Sequence, residues 1–147
     1  MTRETYDDAE IVGILHATRT IAVVGASTNP ARHSHRVMHF MQLNGYRTIP
    51  VNPMAAGGQI HGETVYASLA DVPDPIDMVD VFRRQEAIPQ VVDEVIAARA
   101  EKQIRFLWLQ LDLYDEAAAG KARAAGLTVV MDRCLKIEYG RLLAHRA

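Results

Sequence analysis

The chain contains a single cysteine, Cys134, among 147 residues. One thiol excludes an internal disulfide framework, and such sparse use of cysteine is typical of a reducing compartment. No apolar run approaches the roughly 20 residues that a helix needs to span a bilayer. The first eight residues are polar and acidic, unlike a signal peptide. The sequence therefore predicts a soluble, cytoplasmic protein.

Neither sign of charge dominates the chain. Its 16 Lys and Arg residues and 18 Asp and Glu residues give a formal net charge of −2, so no overall basic field favours nucleic acid as a partner. Hydrophobic residues make up 49% of the chain, enough for a sizeable core. We expect residues 1–147 to form a single domain, with an N-terminal helix at about 7–17 and a core at about 20–143.

Short β-branched runs alternate with amphipathic segments along the chain. Strands are predicted at residues 20–24, 47–51, 77–82, 104–109 and 127–131. Helices are predicted at about 7–17, 34–44, from about Pro89 onward, 115–126 and 134–142, and residues 54–62 are predicted to be a loop. This alternation indicates a Rossmann-like, doubly wound α/β fold with a mainly parallel five-stranded sheet and helices on both faces.

The most informative run surrounds Gly25. An apolar strand ends there in Gly-Ala-Ser-Thr-Asn-Pro, and a helix follows near Ser34. Without a Cβ, Gly25 lets the backbone approach a ligand closely, and the helix behind it directs unpaired N–H groups towards an anion such as a diphosphate. Because parallel strands end at a shared edge, we expect five loops to converge there, at residues 25–34, 52–58, 82–86, 110–115 and 132–136.

A dinucleotide such as NAD is the simplest ligand for this turn, but two features oppose it. The full G-x-G-x-x-G pattern is missing. The second strand ends in Val51-Asn52-Pro53, where an NAD site needs a carboxylate for the ribose hydroxyls. An NAD(P)-dependent oxidoreductase is therefore kept only as an alternative.

Six segments carry a resemblance to a known family. They are Val-Gly-Ala-Ser at 24–27, Arg32 with Ser34 and Arg36-Val37, Ile-Pro-Val-Asn-Pro at 49–53, Val-Asp-Val-Phe-Arg-Arg at 79–84, Trp-Leu-Gln-Leu at 108–111, and Val-Met-Asp-Arg-Cys-Leu-Lys-Ile-Glu at 130–138. Together they resemble the small CoA-binding proteins, a stand-alone version of the CoA-binding domain at the start of the succinyl-CoA synthetase alpha subunit. The resemblance covers about residues 11–143, and the segments Asp-Val-Phe-Arg and Met-Asp-Arg-Cys are its specific part.

The resemblance implies a site for CoA or an acyl-CoA. The residues that it places at the diphosphate and over the phosphates are Gly25, Ala26, Ser27, Asn29, Arg32 and Ser34. Those that it places near the adenosine or phosphate are Asn52, Pro53, Phe82 and Arg83, and it places Gln110 nearer the pantetheine. Arg36, together with Arg32 and Arg83, supplies planar charged groups that suit a polyphosphate.

The sequence does not predict catalysis. None of the six histidines has an obvious nucleophile and orienting acid beside it, and a G-x-S-x-G motif is absent. In the resembling ligase the active histidine belongs to a second domain, for which 147 residues leave no room. We expect a CoA-binding protein that is not an enzyme. The alternatives are a subunit of an acyl-CoA ligase and a regulatory interaction domain with a vestigial pocket.

Several positions bear on these alternatives. Asp112 stands where many relatives have glycine, and an unpaired carboxylate there would disfavour CoA along the pantetheine path. Cys134 could exchange disulfides with the CoA thiol if a nearby cation or helix N-terminus lowers its pKa. His35 and His39 are one helical turn apart, but a metal site needs at least a third ligand, and we expect none. Apolar residues on the helices leave a homodimer open.

Overall fold

The computed structural model describes residues 5–143, which form five helices and seven strands. The helices are α1 (Asp8–Ala17), α2 (His33–Leu43), α3 (Ile88–Lys102), α4 (Glu116–Ala124) and α5 (Leu135–Leu142). The strands are β1 (Thr20–Val24), β2 (Arg47–Val51), β3 (Gln59–Ile60), β4 (Glu63–Thr64), β5 (Met78–Val81), β6 (Phe106–Leu109) and β7 (Thr128–Val130). No helix within residues 5–143 is long and apolar enough to cross a membrane.

Five strands form one parallel sheet in the order β2-β1-β5-β6-β7. The chain runs from β1 outwards to β2 and then returns to β5 on the other side of β1. This reversal opens a crevice beyond the carboxyl ends of β1 and β5, where ligands bind in such sheets. The predicted Rossmann-like α/β fold is confirmed.

Both faces of the sheet are buried. Ala22 and Val24 of β1 pack in the core cluster that includes α3 and α4, whereas Ile21 and Val23 pack in the cluster that includes α1, α2 and α5. Burial on both sides explains why the strand is apolar at almost every position rather than at alternate ones.

Trp108 of β6 is fully buried, and its indole Nε1 donates a hydrogen bond to the carbonyl oxygen of Arg133 at 2.9 Å. A buried indole N–H needs a partner, and this one connects β6 to the loop that precedes α5. Trp108 is a core residue that fixes the position of that loop.

The predicted loop at 54–62 contains more structure than expected. It holds a 3-10 turn at Pro53–Ala55 and then strand β3, which pairs antiparallel with β4. His61 and Gly62, both with positive φ, connect the two strands, as tight hairpin turns require. Gln42 of α2 donates a hydrogen bond to the carbonyl oxygen of His61 at 3.0 Å. Strands of two residues are too short to produce a recognisable alternation in the sequence.

Asp115 is expected to stabilise the fold as the N-cap of α4, because its carboxylate accepts a hydrogen bond from the backbone N–H of Ala118 at 2.9 Å. Asp115→Ala should lower the free energy of unfolding by about 1 kcal/mol. Asp115→Asn keeps a side-chain acceptor and should stay close to the parent in urea denaturation. Equal losses in both variants, or no loss in either, would contradict this role.

Candidate functional site

The turn after β1 lies against the turn after β5. Gly25 has φ +88°, and its N–H donates a hydrogen bond to the carbonyl oxygen of Val51 at 2.9 Å. A Cβ at Gly25 would collide with the carbonyl oxygen of Phe82. Both the left-handed backbone and the lack of space therefore require glycine here.

Two neighbouring hollows open at this edge of the sheet and share Gly25, Phe82 and Arg83. The first hollow, of about 480 Å³, lies by the end of β2 and the start of α3, and the second, of about 400 Å³, lies by the start of α2 and the end of β6. Four of the five loops predicted to converge contribute to the walls. The fifth loop, after β7, does not line either hollow. It is held beside them by the hydrogen bond from Trp108 to the carbonyl oxygen of Arg133 and by the contact between Cys134 and His33.

Nine of the twelve residues named from the resemblance line these hollows. They are Gly25, Ser27, Arg32, Ser34, Asn52, Pro53, Phe82, Arg83 and Gln110. The structure thus brings together side chains from four segments of the sequence, across more than 80 residues of chain.

The other three named residues, Ala26, Asn29 and Arg36, support the loop after β1. Ala26 is buried, and its carbonyl oxygen accepts a hydrogen bond from Asn52 Nδ2 at 2.8 Å. Asn29 Oδ1 accepts from the backbone N–H of Ala31 at 2.9 Å, and Arg36 Nη1 donates to the carbonyl oxygen of Ala31 at 3.2 Å. These contacts give the loop a defined shape.

The resemblance assigned no ligand contact to several residues that line the hollows. In the first hollow they are Met54, Ala67, Ser68, Leu69, Arg84, Gln90 and Glu94, and in the second they are His33, Leu111 and Leu113. Gln90 and Glu94 are one helical turn apart on α3, beside its buried stripe. That spacing shows that they share a helix face, but only the packing of α3 shows that this face meets the cleft.

A buried polar pair, Asp80 of β5 and Gln110, adjoins the second hollow. Asp80 is 1% exposed and Gln110 is 4% exposed, and Gln110 Nε2 donates a hydrogen bond to Asp80 Oδ1 at 2.6 Å. Burial raises the pKa of Asp80 to about 8, against a smaller opposite effect of the hydrogen bond from Gln110. The carboxyl group is therefore mostly protonated at neutral pH.

Cys134 is buried near enough to Asp80 to be affected by its charge, and its Sγ lies 3.4 Å from Nε2 of His33. Burial raises the pKa of the thiol, although the backbone N–H groups of Lys136 and Ile137 act in the opposite direction. Desolvation therefore outweighs the helix N-terminus, and the lowered pKa on which disulfide exchange by Cys134 was made conditional is not found. Burial and nearby positive charges on Arg36 and Lys136 lower the pKa of His33.

Asp112 adopts a left-handed backbone with φ +72°, and its N–H donates to Asp132 Oδ1 at 2.7 Å. Left-handed φ values favour glycine, which accounts physically for the glycine that the family resemblance placed here. Asp112 is not among the residues that line either hollow.

The structure adds His61 to the pair His35 and His39. The His61 ring centroid lies 4.0 Å from that of His35 and 4.5 Å from that of His39. The rings pack against one another, and no group of three His, Cys, Asp or Glu side chains in residues 5–143 is arranged to hold a metal ion.

Comparisons with known proteins agree with this geometry. A family model described as a CoA binding domain matches residues 19–140. The chain is 40% identical over 131 residues to the uncharacterised protein YneT of Bacillus subtilis. The aligned residues make up 89% of this chain and 93% of that protein. It also resembles a solved Thermus thermophilus structure, cell-free ID.343, with a TM-score of 0.87 and 37% identity over 94% of this chain and 100% of that one.

A longer relative is subunit alpha of ADP-forming acetate–CoA ligase I from Pyrococcus furiosus. It is 31% identical over 80 residues, which are 52% of this chain but 17% of that subunit. The family model matches most of the chain, and relatives of similar length match nearly all of it. This chain therefore belongs to the family of CoA-binding domains.

Proposed function

We propose that the cleft binds CoA or an acyl-CoA, with the diphosphate at the Gly25 turn, and that the protein has no catalytic machinery of its own. The observation that carries this proposal is that Gly25, in a chain of the CoA-binding-domain family, lies where the two hollows meet. Gly25 separates two hollows large enough for the two ends of an elongated nucleotide, and Arg83 borders both hollows.

The diphosphate would lie over the loop after β1. The backbone N–H groups of Ala26 and Ser27 and the hydroxyl of Ser27 are the donors offered at the turn, since the N–H of Gly25 is bonded to Val51. Arg32 and Arg83 supply positive charge from the walls. Guanidinium groups are always charged and match phosphate oxygens in a bidentate manner. Asn52, which holds Ala26, keeps these donors in position.

The two hollows would take the two ends of the ligand. Asn52, Pro53 and Phe82 line the first hollow and would lie beside the adenosine. Gln110, Leu111 and Leu113 line the second hollow and would lie along the pantetheine arm. Leu111 is 46% exposed, so an apolar part of the arm would cover an apolar side chain that now meets water.

A role as one part of an acyl-CoA ligase is the second candidate, and the match to subunit alpha of the Pyrococcus furiosus ligase favours it. This chain spans only 17% of that subunit, so the remaining parts would come from a partner. Co-purification of a ligase subunit with this chain would support that role. An NAD(P) enzyme is less well supported, because Asn52 occupies the end of β2 where a carboxylate would bind the ribose.

The ligand is tested by calorimetric titration with CoA, dephospho-CoA, ADP and NAD at fixed salt. We expect CoA to bind with micromolar or tighter affinity and NAD to bind much more weakly. Gly25→Ala should abolish CoA binding, because the added methyl group meets the Phe82 carbonyl. Gly13→Ala is the matched control, since a Cβ there meets nothing within 4 Å and Gly13 lies in α1. A parent protein that gives no heat with CoA would refute the binding proposal.

The contribution of the arginines is tested by Arg32→Gln and Arg83→Gln. Loss of one charged hydrogen-bond donor to phosphate should weaken CoA binding roughly tenfold. The loss should shrink as salt is raised, because salt screens the interaction in the parent. Arg105→Gln serves as the control, since Arg105 precedes β6 at the opposite edge of the sheet. Arginine variants that bind CoA like the parent at low salt would contradict the assignment.

A further inference from the structure

We propose that Gln85 is a positioning residue that ties the loop after β6 to the loop after β5, and that this tie lets the cleft distinguish ligands with an arm from ligands without one. The loop after β6, residues 110–115, supplies three of the residues that line the second hollow. Gln85 itself is not among the described residues that line either hollow, so it acts through that loop. The inference rests on the proposed function, which places the arm there.

Gln85 makes two hydrogen bonds to the backbone of a single residue in the 110–115 loop. Its Nε2 donates to the carbonyl oxygen of Tyr114 at 2.6 Å, and its Oε1 accepts from the backbone N–H of Tyr114 at 3.1 Å. A backbone carbonyl only accepts and a backbone N–H only donates, so these partners allow one orientation of the amide. The two residues are 29 positions apart, and the contact therefore joins two separate loops.

The 110–115 loop is held from its other side by Asp132, whose Oδ1 accepts a hydrogen bond from the N–H of Asp112 at 2.7 Å. Leu113 lies between the two tethered residues and lines the second hollow, as does Leu111 just before them. The positions of both leucines therefore depend on the two tethers. Without Gln85, the side of the loop that faces β5 would lose two hydrogen bonds.

The loop after β5 has anchors of its own. The N–H of Phe82 donates to the carbonyl oxygen of Val24 at 2.8 Å, and the N–H of Ala87 donates to that of Arg84 at 2.9 Å. These bonds do not involve the side chain of Gln85. Its removal should therefore free the 110–115 loop and leave the walls around the first hollow in place.

This asymmetry makes the tie selective. Gln110, Leu111 and Leu113 line the second hollow alone, whereas Phe82 and Arg83 border both hollows. A loop that is free before binding must be ordered during binding, which costs conformational entropy. Only a ligand that reaches along the second hollow would meet that cost. Gln85 thus favours ligands that carry an arm by holding their wall ready.

The test compares CoA with 3′-phosphoadenosine 5′-diphosphate, which is CoA without the pantetheine arm. Gln85→Met keeps a similar side-chain length and removes both hydrogen-bonding groups. It should weaken CoA binding about fivefold, near the effect of one ordinary hydrogen bond, and should leave the affinity for the shorter nucleotide unchanged. Gln59→Met, at an exposed position of β3, is the matched control and should change neither affinity.

Hydrogen exchange of single backbone amides tests the tie without any ligand. In Gln85→Met the amide of Tyr114 should exchange faster than in the parent, because its acceptor is gone. The amide of Ala118, which is bonded to Asp115 at the start of α4, should exchange as in the parent. Unchanged exchange at Tyr114, or faster exchange at both amides, would show that Gln85 does not hold this loop in particular.

The binding outcomes separate this inference from the proposed function. If Gln85→Met binds CoA as the parent does, or loses affinity for both nucleotides equally, the positioning role is refuted while CoA binding stands. A parent that binds CoA but not the shorter nucleotide would contradict the division of the cleft on which the selectivity depends. If the parent binds neither nucleotide, the proposed function fails and the selectivity fails with it.

Discussion

The close approach of two backbone turns is the constraint on which this site depends. Gly25 places the end of β1 against the carbonyl oxygen of Phe82, with no space for a side chain between them. That contact brings the loops after β1 and β5 to one edge, and Asn52 adds the loop after β2 through its bond to Ala26. Both hollows share this point of contact. A larger residue at Gly25 would push the two loops apart and change the shape of both hollows.

Burial on both faces of the sheet has chemical consequences as well as stabilising ones. It keeps the carboxyl of Asp80 protonated at neutral pH and raises the pKa of the Cys134 thiol, and both effects arise from desolvation. Burial therefore favours the neutral form of both groups.

The sequence predicted the features that depend on neighbouring residues. The apolar runs located all five strands of the sheet, and the glycine after β1 located the turn. Features that depend on contacts across the chain were not predictable. Asp80 and Gln110 are 30 residues apart and meet only because β5 and β6 are neighbours. Cys134 precedes a helix, a position that favours a low pKa, but its burial reverses the direction. The hairpin of β3 and β4 consists of strands too short to form a pattern.

The most direct test of the account is a map of backbone amide chemical shifts in ¹⁵N-labelled protein during titration with CoA. The account predicts that the largest changes occur at Gly25, Ser27, Arg83 and Gln110, at the carboxyl edge of the sheet, whereas Arg19, Arg47 and Arg105 at the opposite edge stay unchanged. Saturating CoA that leaves the resonances around Gly25 unmoved, or that shifts those of the opposite edge instead, would contradict it.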